Sequence, residues 1–472
     1  MSDIFRRKPI DALVDDKAPD RLRPTLSGWH LVLLGVGAIV GTGIYTLVGV
    51  GAERAGPAVM LSFAVAGAIC VFAALAYAEL ATMIPASGSA YTYSYASMGE
   101  IVAWLVGWAL ILEYSVVCSA VAVGWSGYAT GFLAGLGVEL PALLTAGPGD
   151  PENPGIVNLP AIVIIAAVTG MLLVGVRESA NVNAALVVVK IVALAVFVAL
   201  ALPAFDMANF EPFSPYGFAA TTDENGANRG VMSAAAIIFF AFYGFDAVST
   251  AAEETKDPGR NLSVGIIGSM LVCTLIYMTV AAVAVGALPF KEFSASGEPL
   301  AHILRVLGHG GAAAAIAAAA VIALPTVILA FMYGQSRIFF VMARDGLLPR
   351  RLGAVDKKSG SPVAMTILTG VVCSALAGVL PLSTIAELAN AGTLCAFVAT
   401  AVALIILRVR EPNRTRPFKV PLGPVVAVLA ILGCLYLFFS LPAATQMRFF
   451  IWMGIGLAVY FIFARRPAAS GG

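Results

Sequence analysis

Twelve stretches of this chain each run for roughly 18 residues or more with hardly a charge, and this repetition restricts the fold more than any other feature. They fall near 29–51, 57–84, 101–135, 156–176, 182–205, 231–253, 262–288, 311–341, 362–380, 383–407, 423–441 and 446–464. Each is long enough to cross a bilayer as a helix, and none shows the short alternation of a barrel strand. The runs 101–135 and 311–341 exceed the bilayer thickness, which calls for tilt or extension into loops. The predicted class is therefore all-α integral membrane, with twelve transmembrane helices. Composition agrees: of 472 residues, 60% are hydrophobic and 12% charged, where a soluble domain carries about a quarter charged.

The same numbers exclude other classes. A net charge of +1 argues against a nucleic-acid partner, which selects a basic face. Cys70, Cys118, Cys273, Cys373, Cys395 and Cys434 all lie in apolar runs, against a disulfide framework. Only His30, His302 and His309 are present, with no HExxH pattern, so neither a metal site nor a cofactor is predicted. The first 25 residues are polar and charged, unlike a cleavable leader. Lys and Arg placement orients the chain. With the N-terminus inside, only Arg54, Arg229, Lys291, Arg305 and Arg448 fall in outer loops, and most of the rest lie inside. The loops 136–155 and 206–230 are then outer. The basic loop 344–361 is inner and reads as a positive-inside anchor.

Two helices are interrupted at mid-membrane depth. The first reads Leu34-Gly35-Val36-Gly37-Ala38-Ile39-Val40-Gly41-Thr42-Gly43-Ile44-Tyr45. Each Gly weakens a helix by about 1 kcal/mol relative to Ala, and such clusters unwind where they line a cavity. Unwinding places the N–H groups of Thr42 and Gly43 at the start of a half-helix, where the dipole favours a carboxylate; a glycine face for helix packing is the competing explanation. The sixth reads Phe239-Phe240-Ala241-Phe242-Tyr243-Gly244-Phe245-Asp246. Breaks at corresponding places in two halves point to a transporter site. Freed carbonyls of Phe240, Ala241 and Tyr243 would accept an ammonium group, with the Phe240 ring as a gate. Phe239, Phe242 and Phe245 read as core.

Glu113, Lys190 and Asp246 lie well inside helices, at roughly 2.5–3.5 kcal/mol each on insertion scales. A Lys190 that sheds its proton would couple protons to transport; one that keeps it would tie two helices together. Glu113 is open between a cationic side chain, a proton relay and structural pairing. Asp246 reads first as a hydrogen-bond acceptor beside the break. Glu79, Glu253 and Glu254 sit toward helix ends, suited to ion pairing or solvation. Pro325 kinks the eighth helix, which would let Thr326 approach Lys190 and make Leu329 a pocket wall.

The stretches Gly-Val-Gly-Ala-Ile-Val-Gly-Thr-Gly-Ile-Tyr (35–45), Ala-Gly-Pro-Ala (55–58), Tyr-Ala-Glu-Leu (77–80), Pro-Ala-Ser-Gly-Ser-Ala-Tyr (85–91), Gly-Trp-Ala-Leu-Ile-Leu-Glu-Tyr (107–114), Tyr-Gly-Phe-Asp-Ala-Val-Ser-Thr-Ala-Ala-Glu-Glu (243–254) and Met-Ala-Arg-Asp-Gly-Leu-Leu-Pro (342–349), in this order, resemble the cationic amino acid transporter family of the amino acid–polyamine–organocation superfamily. The resemblance implies two inverted, LeuT-like five-helix repeats (29–205 and 206–407), two added helices (408–464), and cytoplasmic ends at 1–28 and 465–472. It implies an amino acid held by Ile39, Gly41, Thr42, Gly43, Phe240, Ala241, Tyr243 and Leu329. Lys190 matches the lysine that stands in for a sodium ion in proton-coupled relatives. The apolar Leu329 favours neutral over cationic substrates. Animal members carry two further helices, so the chain looks bacterial in type. The expected activity is proton-coupled uptake of neutral amino acids of alanine size across the plasma membrane, with lipid around it. The alternatives are a cationic amino acid carrier, an exchanger or a channel. A channel needs a continuous polar lining, whereas the polar positions cluster at mid-depth. An enzyme needs a nucleophile–base or metal set in the membrane, and the scarcity of His and Asp speaks against one.

Overall fold

The computed structural model describes residues 5–13, 26–86, 88–149, 155–174, 180–252, 255–349 and 363–464. The basic loop 344–361 lies mostly outside them, as do Glu253, Glu254 and the tail 465–472. In chain order the α-helices are α1 (Ile10–Leu13), α2 (Gly28–Ile39), α3 (Thr42–Tyr45), α4 (Leu47–Ala55), α5 (Val59–Met83), α6 (Ser89–Ser97), α7 (Glu100–Gly135), α8 (Leu159–Val174), α9 (Ala180–Ala201) and α10 (Val231–Ile238). They continue as α11 (Phe245–Thr250), α12 (Pro258–Ala287), α13 (Phe290–Phe293), α14 (Pro299–Val306), α15 (Gly310–Ala323), α16 (Pro325–Arg344), α17 (Val363–Val379), α18 (Leu382–Arg410), α19 (Gly423–Phe439) and α20 (Ala443–Val459). The strands among the described residues form one small hairpin, Thr221–Thr222 with Asn228–Arg229, in the loop 206–230.

Seven helical segments are long and apolar enough to cross a membrane, and five shorter apolar helices accompany them: Gly28–Ile39, Leu159–Leu173, Val231–Phe242, Val363–Val379 and Gly423–Phe439. Two of the short ones have a local cause. The first stops in the glycine cluster and the third at Gly244. The 311–341 run divides at Leu324, because Pro325 opens α16 without an N–H to donate. The 101–135 run is one helix of 36 residues, about 54 Å at 1.5 Å per residue, longer than the hydrocarbon core.

In the interior, α12 packs on α2 and α5, while α7 packs on α16 and α18. The polarity is inside out relative to a soluble protein. Leu275 on α12, Val371 on α17, Leu432 and Phe439 on α19 and Phe450 on α20 are exposed, while Glu79, Glu113, Lys190, Asp246 and Asn390 are buried. An apolar surface of this extent suits lipid and not water. Glu79, at the end of α5, is held by Arg408 (2.9 Å) and Arg416 (3.2 Å). Of the two readings of Glu79, ion pairing therefore applies. At the opposite end of α18, Glu387 accepts from Arg54 of α4 (2.6 Å) and from the Thr445 hydroxyl (3.0 Å).

Candidate substrate site between two broken helices

The break in the first helix begins where Val40 makes the last α2 bond, to Val36 O (2.8 Å). Val40 is extended, and helical bonding resumes only at α3. The carbonyls of Gly37 and Ile39 thereby lose their helical partners. Lys190 of α9 donates through Nζ to Gly37 O (3.0 Å), and Tyr277 of α12 donates to Ile39 O (2.6 Å). Beyond the gap, Tyr128 of α7 donates to Tyr45 O (2.6 Å), and Tyr45 donates in turn to Lys190 O (3.0 Å). The Thr42 and Gly43 N–H groups open α3 and have no intrahelical acceptor. Their helix-start position favours an anion.

The second break is built the same way. After α10 the chain tightens into a 3-10 turn over Phe239–Phe242, extends at Tyr243 and reverses at Gly244, whose φ is +112°. Asn390 of α18 donates through its amide to Ala236 O (2.6 Å) and Ile237 O (3.1 Å) and accepts from the Tyr243 hydroxyl. Asp246 accepts from the Gly244 N–H (3.2 Å) and from the Tyr114 hydroxyl (3.4 Å). The two breaks touch. A β-carbon on Gly43 would lie 2.3 Å from Ala241 Cα, and one on Gly244 would lie 2.6 Å from Ala38 Cβ. Only glycine permits these approaches, and only glycine takes that φ readily.

A cavity of about 10 Å³ lies where they meet, at the lower limit for one water and far below the size of an amino acid. Ala38, Ile39, Gly41, Thr42 and Gly43 line it from the first break, and Phe240 and Tyr243 from the second. Val117 and Val121 of α7 and Val327 and Phe331 of α16 complete it. Most of the predicted substrate residues are thus brought together. Ala241 is not in the lining and packs against Gly43 instead. Leu329 is half-buried and outside the lining, two residues from both Val327 and Phe331 and so across the helix from their shared face. Glu113 is buried and does not reach the cavity. Thr326 meets Lys190 as expected, at 3.4 Å between Oγ1 and Nζ. Sequence reasoning missed Asn390, Tyr277 and Tyr128, whose roles are long-range hydrogen bonds, and the four apolar wall residues. Asn390 alone carried a signal, as an amide inside an apolar run.

This architecture is that of a polytopic membrane protein with a small buried cavity between opposed half-helix ends. The amino acid permease family profile matches residues 26–462, and the chain belongs to that family. It is 46% identical to a branched-chain amino acid permease of Bacillus subtilis, over 98% of both chains. It is 41% identical to a methylthioribose transporter of the same organism, over 99% of both. It is 36% identical to the vacuolar cationic amino acid transporter 4 of Arabidopsis thaliana, over 88% of this chain and 68% of that one. The family and these relatives are transporters, not enzymes.

Proposed function

We propose that this permease is a secondary active carrier that takes neutral L-amino acids into a bacterial cell with protons, by alternating access. In this reading the seven long and five short apolar helices make twelve crossings of the plasma membrane, with both termini in the cytoplasm. They group as inverted repeats at 29–205 and 206–407 followed by the 408–464 pair.

The observation that carries the reading is the pair of opposed helix ends on one small cavity with buried, largely apolar walls. The substrate carboxylate meets the Thr42 and Gly43 N–H groups. The ammonium meets carbonyls of the Phe240–Tyr243 turn, with Phe240 as the outer gate. A zwitterion needs no side-chain charge at such a site. The wall falls to Val117, Val121, Val327 and Phe331, and not to Leu329. Each CH₂ enclosed there contributes about 0.8 kcal/mol, so the range extends upward from alanine toward the branched chains named for the Bacillus relative. Lys190, bridging α2 and α16 beside the cavity, is the proton-coupling group in this reading.

The apolar wall, with Glu113 away from it, disfavours a cationic substrate. The same apolar wall disfavours a channel, which needs a continuous polar path. The methylthioribose relative names a second substrate class, one without a carboxylate for the Thr42–Gly43 end. Purified protein in sodium-free liposomes with an inward proton gradient separates these. Protonophore-sensitive accumulation of labelled alanine and leucine is expected. Accumulation of arginine or methylthioribose instead, with neither neutral amino acid taken up, would overturn the substrate assignment.

A further inference from the structure

On the side assigned above to the cytoplasm, Lys8, Arg408, Arg410, Arg414 and Arg416 each hold an acid or a carbonyl. Lys256, Arg260 and Lys419 do not. They are exposed, and among the described residues their side chains make no ion pair or hydrogen bond. The segments that carry them meet at one corner. The Lys256 N–H donates to Leu26 O (2.8 Å), just ahead of α2. A β-carbon on Gly28 would lie 2.8 Å from Asn261 Oδ1, and one on Gly259 would lie 2.9 Å from Pro417 Cβ. Lys419 follows Pro417 by two residues. Asp257, beside Lys256, does not cap α12 with its side chain and pairs with none of the three cations.

The corner is turned toward lipid. Arg260 heads the outward stripe of α12, where Val264, Leu271 and Leu275 share its face and are all exposed. Lys419 precedes α19, whose exposed stripe runs through Val425, Leu429 and Leu432. A shallow groove separates the two stripes. α5 meets α12 at Gly67, where a β-carbon would lie 3.0 Å from Thr274 Cγ2, and α19 at Ile69, 2.8 Å from a β-carbon on Gly433. Ala68 falls between these contacts on the helix and is exposed, so it floors the groove. Trp29, at the start of α2, is exposed as well, and Trp concentrates where lipid tails give way to headgroups. A cation that serves only as a solvated anchor needs no such place at the head of an apolar groove.

We propose that this corner binds the headgroup of an anionic phospholipid of the inner leaflet, with Lys256, Arg260 and Lys419 around its phosphate and a tail in the groove over Ala68. Basic groups at the cytoplasmic surface attract such lipids, and a guanidinium meets a phosphate through two parallel N–H bonds. A zwitterionic headgroup carries an ammonium that the same cations repel. The bound headgroup links the start of α12 to the loop that Glu79 holds on α5, through Arg408, Arg416 and the Val420 N–H (2.8 Å). The inference uses the membrane orientation of the reading above, and neither its substrate nor its coupling ion.

The test uses the full chain in phosphatidylcholine vesicles, without substrate or gradient, and phosphatidylglycerol brominated on its tails as probe. Bromine quenches indole fluorescence on contact, and the Trp29 share is the difference between wild type and Trp29→Phe. Brominated phosphatidylglycerol is expected to quench that share at a mole fraction about tenfold lower than brominated phosphatidylcholine needs. Arg260→Gln and Lys419→Gln are each expected to cut the preference about fivefold, and added salt to weaken it. Equal quenching by the two lipids in the wild type would overturn the site. Displacement of the probe by inorganic phosphate, beyond the effect of chloride at equal ionic strength, would assign the corner to a soluble anion and overturn it too. Thermal melting in detergent is a readout independent of Trp29. Added phosphatidylglycerol is expected to raise the wild-type Tm by several degrees and to leave that of the Lys256→Gln, Arg260→Gln, Lys419→Gln triple variant in place. An equal rise in the variant would put the lipid elsewhere. Neither readout measures transport, so failure of the carrier reading in the uptake assay leaves this site standing.

Discussion

Gly43 and Lys190 do opposite things to the same broken segment. Gly43 lets it approach its neighbour, and Lys190 holds a carbonyl that the break has released. In Gly43→Ala the new methyl would lie 2.3 Å from Ala241 Cα and 2.5 Å from Ala241 Cβ, with no flexible side chain to give way. Overpacking of this kind costs about 1–3 kcal/mol, and here it separates the two ends that would share one substrate. The KM for leucine uptake is expected to rise about tenfold or more in folded protein, with thermal melting confirming the fold. In Lys190→Ala the Gly37 carbonyl and the Thr326 hydroxyl lose a donor, and neither residue is in the cavity lining. Accumulation driven by a proton gradient is expected to fall by at least tenfold, and substrate affinity by less. Unchanged pH dependence of accumulation would remove Lys190 from the coupling step. Both residues were legible in the sequence because each violates the rule of its surroundings: glycines crowd one stretch of a helix, and a cation sits in a valine run. The place of Leu329 outside the lining was not legible, because a proline restart leaves the helical phase undetermined, and one face of α16 differs from the other only in what it packs against.

At the scale of elements, the breaks are kept open by whole helices that do not break. α12 brings Tyr277 to one released carbonyl and α18 brings Asn390 to two others. The positions of the breaks could be read locally, since glycine weakens a helix wherever it stands. Their partners could not, because Asn390 is 154 residues from Ala236 and Tyr277 is 238 from Ile39. Only packing brings such residues together. Asn390→Leu keeps the volume and removes both donor and acceptor. Ala236 O, Ile237 O and the Tyr243 hydroxyl are then left buried, at about 1–3 kcal/mol each where no new partner is found. Thermal stability is expected to drop by several degrees. Saturating leucine is expected to restore part of the loss, because it binds only the folded site. A variant as stable as the wild type would show that α10 ends where it does without help from α18.

For the whole molecule, a cavity too small for its substrate means that transport requires one side to open, and the ion pairs at the two ends set how hard that is. On the side assigned to the outside, Arg54 of α4 meets Glu387 of α18, both buried, and the Arg54 Nη1 atom has no partner among the described residues. On the other side, Lys8 meets Asp345 at 2.9 Å, with the Tyr91 hydroxyl also on Asp345, and the Lys8 side chain is 28% exposed. Truncating one partner of a buried pair costs about 3–5 kcal/mol, because the other charge is stranded. A part-exposed pair is worth roughly 0–1 kcal/mol. In Glu387→Gln the stranded Arg54 regains water only if α4 swings outward. The penalty therefore falls on the closed state and shifts the balance toward outward opening by tenfold or more, at about 1.4 kcal/mol per factor of ten. With the natural cysteines replaced and Val121→Cys as reporter in the cavity, an impermeant thiol reagent applied outside is expected to react at least tenfold faster in Glu387→Gln. Asp345→Asn, tested from the inner face, is expected to gain only a few-fold. Equal acceleration at both faces would mean that exposure does not govern these latches. No acceleration in Glu387→Gln would mean that α4 is held by its packing alone.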